Sequence, residues 1–348
     1  MLPINQHIAS INISVQEALV RLNQLSADAI LFVVDEDGIL IGSLTDGDLR
    51  RGFIHGFGFE TYLSNFIQEN PKFIQHGKYN LKDVVELRNN RIAILPLVDN
   101  LMKVIGIVNF NHQRSYLPLD AVIMAGGRGE RLKPLTDYIP KPMLIVGDKP
   151  IIEHNIERLK NFGIDDIWIS VRYLSSQIIN HFGDGNESSI RIKYVMEDEA
   201  LGTAGALGLV EDFRHDHVLL MNSDLLTNID FEEFFIFFED HQADLAVACI
   251  PYHVNVPYAV MEIDNNVVTG FKEKPTYTHY SNAGIYIMKR EVLSLVPSNK
   301  LFNATDLMQN LINEGKKVVS YPFTGYWLDI GRLDDFERAQ NDISKIKF

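Results

Sequence analysis

The chain has 348 residues, 46% of them hydrophobic and 22% charged, with a formal net charge of −14. So acidic a chain has no broad basic surface for nucleic acid, and any polyanionic ligand must be met by a local cluster of cations. One cysteine, Cys249, excludes an intrachain disulfide framework; with no signal-peptide pattern over residues 1–6 and no membrane-length apolar run, a cytoplasmic protein with no membrane partner is expected.

The length suggests about two domains. Residues 1–115 carry two copies of one small unit. In the first, Val15, Ala18, Leu19 and Leu22 have helical spacing behind a possible Ser14 cap. A strand over 29–34, a turn at Asp35–Gly38, a strand over 39–44 and a helix from Thr45 complete it. The second has a short helix over 81–87, a strand over 92–98, a turn at Asp99-Asn100 and a strand over 104–108. This repeat resembles a pair of cystathionine-β-synthase (CBS) modules, regulatory or dimerising. Gly42-Ser-Leu-Thr45-Asp-Gly-Asp48 matches that family's ribose-phosphate pattern, so the resemblance implies a regulatory nucleotide held by Thr45 and Asp48. The alternative is that Thr45 caps the helix and Asp48 favours its N-terminal dipole. In the second copy Asn109 and His112 replace the expected residues, leaving at most one competent site.

A short linker over 114–118 leads to the larger domain, 119–348. Ala121–Ala125 reads as a buried strand, and Gly126, Gly127 and Gly129 follow at once, with Arg128, Arg131 and Lys141 close behind. Glycines let backbone amides approach a polyphosphate without a Cβ in the way. The spelling is not that of a P-loop, and Leu132 and Pro134 break the dinucleotide-binding pattern. Further on, a helix over 150–160, a strand over 167–171, a helix over 175–182 and strands over 190–195 and 218–222 imply an α/β fold with a mostly parallel, Rossmann-like sheet. The phenylalanine-rich stretch 229–238 reads as a buried or interface helix face. Met261, Met288 and Met308 read as core, and His215 and His217 as surface histidines.

Ala125-Gly-Gly-Arg-Gly-Glu-Arg-Leu-Lys-Pro-Leu-Thr136 with Pro140-Lys-Pro-Met-Leu144 resembles the signature of the sugar-1-phosphate nucleotidyltransferases. The resemblance implies attack of a sugar-1-phosphate oxygen on the α-phosphorus of a nucleoside triphosphate, with release of pyrophosphate. The nucleophile is already anionic, so the task is to align two polyanions and neutralise charge. Arg131 and Lys141 are carried over as the catalytic cations, and Asp224 and Asp329 as ligands of a hard divalent metal, Mg²⁺. Ala125, Gly126, Gly127, Gly129, Gly202 and Thr203 fall on the nucleotide side. Glu273, Lys274 and Asn282 fall on the sugar-phosphate side, although Ala259 stands where the family usually has glycine.

Glu197 occupies the position where thymidine- and uridine-specific relatives often carry glutamine. A carboxylate only accepts hydrogen bonds, which suits guanine's N1–H and amino group. GTP is therefore the expected donor, with uridylyl and thymidylyl transfer as alternatives. The whole resembles the glucosamine-1-phosphate guanylyltransferases of bacterial legionaminic acid synthesis, with mannose- and heptose-1-phosphate enzymes close behind. A homo-oligomer is expected. A different expectation is a catalytically idle nucleotide-sensing subunit.

Overall fold

The computed structural model describes residues 4–346. The chain forms two compact units, the first running to Pro118 and including Lys160–Gly163 and Asn186–Ile190, the second made of the other residues from Leu119 on. In the first, α1 (Ile4–His7), β1 (Ile8–Ser10), α2 (Val15–Leu25), β2 (Ile30–Val34), β3 (Leu40–Thr45) and α3 (Asp46–Ile54) precede the short strands β4 (Gln68–Glu69) and β5 (Ile74–Gln75). The second repeat continues through α4 (Leu81–Asn89), β6 (Ile94–Val98) and β7 (Val104–Asn109). Ser14 caps α2 by accepting from the Glu17 amide at 3.1 Å, and the buried Val15, Ala18 and Leu22 form the face that packs inward. The two repeats meet through buried Phe32, Leu40, Ile94, Val98 and Ile107. Residues 115–117, expected as linker, are buried, and the Tyr79 hydroxyl donates to the Tyr116 carbonyl at 2.7 Å. Apolar Tyr116 and Leu117 make this segment core rather than spacer.

The second unit opens on β8 (Leu119–Ala125), then the ribbon β9 (Ile145–Val146) and β10 (Lys149–Pro150), α5 (Ile151–Asn161), β11 (Asp166–Val171), α6 (Ser175–Phe182), β12 (Arg191–Met196) and β13 (His217–Asn222). It continues through β14 (Leu225–Thr227), α7 (Phe231–Asp240), β15 (Leu245–Asn255), β16 (Val260–Asp264), β17 (Val267–Lys272) and β18 (Thr276–Lys289). The last elements are α8 (Ala304–Asn313), β19 (Val318–Pro322), β20 (Trp327–Asp329) and α9 (Leu333–Asp342). The central sheet has the order β12-β11-β8-β13-β18-β15-β19, with β18 alone reversed. The near-continuous apolar runs of β8, β11 and β13 are buried along their length, as in a parallel sheet covered on both faces.

Beyond this sheet β15 and β18 run on as a two-stranded arm, paired out to Asn255 opposite Thr276, and β16 and β17 form a hairpin at its end. Met261 lies on that hairpin and is 52% exposed, so it is not core; Met288 is fully buried in β18. Both strands of the hairpin are exposed along most of their length. The two histidines also depart from expectation. His215 is buried, and His217, half-buried, sets its ring against Phe235 and Phe238 at 5.4 and 5.5 Å. His217 is covered because β13 begins against Phe235 and Phe238 of α7, a tertiary contact invisible in a polar tripeptide. Among the described residues no helix is long and apolar enough to cross a membrane.

Asp120, in β8, lies opposite Asp166 of β11 and is fully buried. Its Oδ2 accepts from the His215 amide at 2.7 Å, and its Oδ1 has no hydrogen-bond partner. Burial first, and the neighbouring Asp166 charge next, push its pKa up to about 7. The folded state thus holds a proton here that the unfolded chain releases near pH 4, and the associated stability is lost as pH rises through 7. Asp120→Asn, which can still accept from His215, is expected to gain on the parent by on the order of 1–3 kcal/mol between pH 5 and pH 8. Melting curves at both pH values check this; the same shift at each would contradict it.

Candidate active site

The glycine turn leaves the C-terminal end of β8, where ligands of such sheets bind. Ala125 is buried. Gly129 has φ 65°, and a Cβ there would meet Lys141 Cβ at 2.9 Å and Thr136 Cγ2 at 3.1 Å. The Thr136 hydroxyl donates to the Gly129 carbonyl at 2.9 Å, closing the turn on itself. Around the turn opens a cleft of about 470 Å³, lined by Gly126, Gly127, Gly129, Arg131, Lys141, Glu197, Gly202, Thr203 and Asp224 from the sequence-derived set. Arg172, Asn222 and Ser223, which the sequence reading did not single out, line it too.

Two acidic residues a hundred positions apart are brought together by main-chain pairing. β14 and β20 run antiparallel with Leu225 opposite Asp329, and the Ile330 amide donates to the Asp224 carbonyl at 3.0 Å. From α5 the buried Asn155 amide donates to the Leu225 and Ser223 carbonyls at 2.9 and 3.4 Å, fixing the backbone on either side of Asp224. The Lys141 ammonium donates to Asp224 Oδ2 and stands 3.9 Å from Asp329 Oδ1. Arg131 reaches the same corner, its Nη2 lying 3.4 Å from where a Gly331 Cβ would stand. Burial, and then the Asp224 charge, raise the Asp329 pKa, against the opposing pull of Lys141 and Arg131.

The Oδ1 atoms of Asp224 and Asp329 are both buried without a hydrogen-bond partner. Two hard oxygen donors with spare capacity fit a divalent cation that takes its remaining ligands from phosphate and water. No set of three or more acidic, histidine or cysteine side chains suited to a metal occurs among the described residues. The donor set therefore fits a cation shared with a ligand rather than an all-protein cage.

On the opposite wall Glu197 is 7% exposed. Its Oε1 accepts from the Ser170 hydroxyl and its Oε2 from the Leu201 amide at 3.2 Å. The carboxylate lies over the glycine turn, since a Cβ on Gly126 would come within 2.7 Å of Oε1. Gly202, at φ 78°, approaches the Phe302 carbonyl and Asn303 side chain so closely that a Cβ would stand 2.7 Å from each. The Thr203 hydroxyl accepts from the Ala304 amide at 3.0 Å at the start of α8. Ser170 carries a sequence signal that could have found it, a lone hydroxyl inside the apolar run Ile167–Val171.

Asn282, in β18, donates to the Tyr286 hydroxyl at 2.7 Å and accepts from the Gly284 amide at 2.9 Å. Glu273 and Lys274 are exposed in the turn before β18 and do not line the cleft. Roughly 20 Å of extended strand separates Thr276 from Asn282. The structure does not bring these three sugar-side residues together.

In the first unit Thr45 caps α3 in a reciprocal box with Asp48. Asp48 is buried; its Oδ2 accepts from the Thr45 amide and hydroxyl at 2.8 and 2.6 Å, and its Oδ1 from Arg51 and Gln68. In the second repeat Asn109, Asn111 and His112 converge on Asp28 of the first, at 2.8, 2.8 and 3.0 Å.

Residues 120–346 match the nucleotidyl transferase family and residues 6–55 the CBS domain. The chain is 32% identical over 228 residues to the bifunctional protein GlmU of Methanocaldococcus jannaschii, covering 64% of this chain and 53% of that protein. It is 31% identical over 233 residues to the mannose-1-phosphate guanylyltransferase of Mycobacterium tuberculosis, covering 65% of this chain and 64% of that one. Among solved structures it is similar to a putative glucose-1-phosphate thymidylyltransferase from Bacillus anthracis, at a TM-score of 0.54 and 28% identity over 66% of this chain and 97% of that one. The chain thus spans between half and two thirds of the length of these curated relatives.

Because the Gly126 position is open only to a hydrogen, Gly126→Ala is expected to push the Glu197 carboxylate aside. Nucleotide affinity should fall about 10-fold or more, a change of about 1.4 kcal/mol. Calorimetric titration with a nucleoside triphosphate reads this, and unchanged affinity in the folded variant would contradict the placement of Glu197.

Proposed function

The chain belongs to the nucleotidyl transferase family, and on that premise we propose that it transfers a nucleoside monophosphate from GTP to a sugar-1-phosphate in the cytoplasm. Glucosamine-1-phosphate is the sugar phosphate proposed, as a step towards a bacterial surface sugar of the legionaminic acid kind. The observation that carries the reaction class is the Asp224, Lys141 and Asp329 cluster at the foot of the glycine turn. A magnesium ion held by Asp224 and Asp329 would neutralise phosphate charge and polarise the reacting phosphoryl group.

The rest of the work falls to the chain's own groups. The amides of Gly126 and Gly127 line the triphosphate, unobstructed by side chains. Lys141 and Arg131 offset the negative charge that builds on the α-phosphoryl oxygens. A sugar-phosphate oxygen forms the new bond to the α-phosphorus, the bond from that phosphorus to the bridging oxygen of the β-phosphate breaks, and pyrophosphate departs with the electron pair. No proton need move, so no general base is assigned. Glu197 accepts from the guanine N1–H and amino group, a pattern shared by no pyrimidine. In support, one relative similar over most of this domain is a guanylyltransferase. Asn282, Glu273 and Lys274 are assigned to the sugar phosphate, the last two on an arm that must bend towards the cleft to reach it. The first unit is assigned a regulatory role, with an adenosine nucleotide at Thr45 and Asp48 competing with Arg51 and Gln68 for the Asp48 carboxylate.

Pyrophosphate release measured for four nucleoside triphosphates against glucosamine-, mannose-, glucose- and heptose-1-phosphate, with magnesium, is expected to be fastest for GTP with glucosamine-1-phosphate. Asp224→Asn is expected to lower that rate by about a hundredfold or more, the scale of losing a main charge-stabilising contact. Pyrophosphate release from no pair, or a fully active Asn variant, would remove the proposal.

A further inference from the structure

Arg172 follows directly on β11 and lines the cleft, two positions beyond Ser170. Side chains alternate along a strand, so Ser170 and Arg172 project on one side of the sheet. Val171 is opposite Met196 of β12 and opposite Ala125 of β8. The same register carried one residue further sets Arg172 in a row with Glu197 and Gly126, and the Glu197 amide donates to the Val171 carbonyl at 3.0 Å. Arg172 lines the cleft, and its Nε is buried without a hydrogen-bond partner. Although Glu197 is its neighbour in the row, the Glu197 oxygens take their hydrogen bonds from Ser170 and Leu201 instead. A buried guanidinium nitrogen left unsatisfied is costly, and an acceptor supplied by a ligand removes the cost.

We propose that Arg172 is a specificity-determining residue that donates to the O6 and N7 side of the guanine base. The proposal rests on the guanylyl reading of the same cleft and deepens it. Guanine presents a carbonyl oxygen, an N–H and an amino group along one edge. Glu197 meets the two donors, and a forked cation beside it meets the oxygen and the adjacent ring nitrogen. Uracil and thymine present oxygen, N–H and oxygen, so the same wall would set their second oxygen against the Glu197 carboxylate. Adenine carries an amino group where guanine has O6, which an arginine donor repels. The Ser170 hydroxyl donates to the Glu197 carboxylate and so fixes one of its oxygens in the cleft wall.

The test is kcat and KM for wild type, Arg172→Ala and Arg172→Lys with GTP, UTP and the triphosphate of 2-aminopurine riboside, which keeps the amino group and lacks O6. In wild type GTP should lead. In Arg172→Ala its kcat/KM should fall about 10–100-fold, mostly through KM, while the value for UTP stays put and that for the 2-aminopurine nucleotide, which keeps N7 but has neither O6 nor the N1–H, falls by less than that for GTP. Arg172→Lys should recover part of the loss. An equal fall for all three nucleotides would assign Arg172 to phosphate or to the fold and overturn the proposal, as would an undiminished preference for GTP in Arg172→Ala. A wild-type enzyme that does not favour GTP would instead overturn the guanylyl reading beneath it, a result visible before any variant is made.

Discussion

Two carboxylates held side by side in a half-buried corner repel one another unless a cation lies between them, and the cleft is built around that requirement. Main-chain pairing of β14 with β20 forces Asp224 and Asp329 together, so neither can relax away. Lys141 partly answers the charge by binding one and standing near the other. Burial first, and then the Asp224 charge that Lys141 leaves unanswered, raise the Asp329 pKa. In a chain of net charge −14, this concentration of cations and cation-seeking oxygens at one end of the sheet is what makes a polyanionic substrate bindable at all.

The other wall is organised by a steric rule. Gly126 must lack a side chain because the Glu197 carboxylate occupies the space a Cβ would take. Glu197 in turn is held by Ser170 and the Leu201 amide, so turn, strand and carboxylate form one interlocked surface. One glycine thus serves both walls: its backbone forms part of the turn and its missing side chain admits the Glu197 carboxylate.

Much of this was legible in the residues. The apolar runs of β8, β11 and β13 announce a buried, mostly parallel sheet, and the structure builds that, with a cleft around the glycine turn at the C-terminal end of β8. Asp224 and Asp329 were paired by resemblance, and their proximity is a matter of strand pairing that neither local sequence shows. Arg172 and Ser170 escaped notice because a strand read for its apolar period hides what its polar members face. His217 was misread for the opposite reason, since its polarity concealed the aromatic helix that covers it, and His215 is buried where its amide meets Asp120. Met261 was read as core from its apolar side chain alone, whereas the hairpin that carries it is exposed along most of its length. For Glu273 and Lys274, their distance from Asn282 comes from a long β15–β18 arm whose extent no turn residue signals.

The most direct measurement is the binding of manganese, observed by electron paramagnetic resonance with a guanosine nucleotide present, to the wild-type chain and to Asp224→Asn and Asp329→Asn. One ion per chain is expected in the wild type, with weakened binding in both variants, because the two carboxylates share it. Undiminished manganese binding in either variant would show that the pair does not hold a common ion and would contradict the central claim.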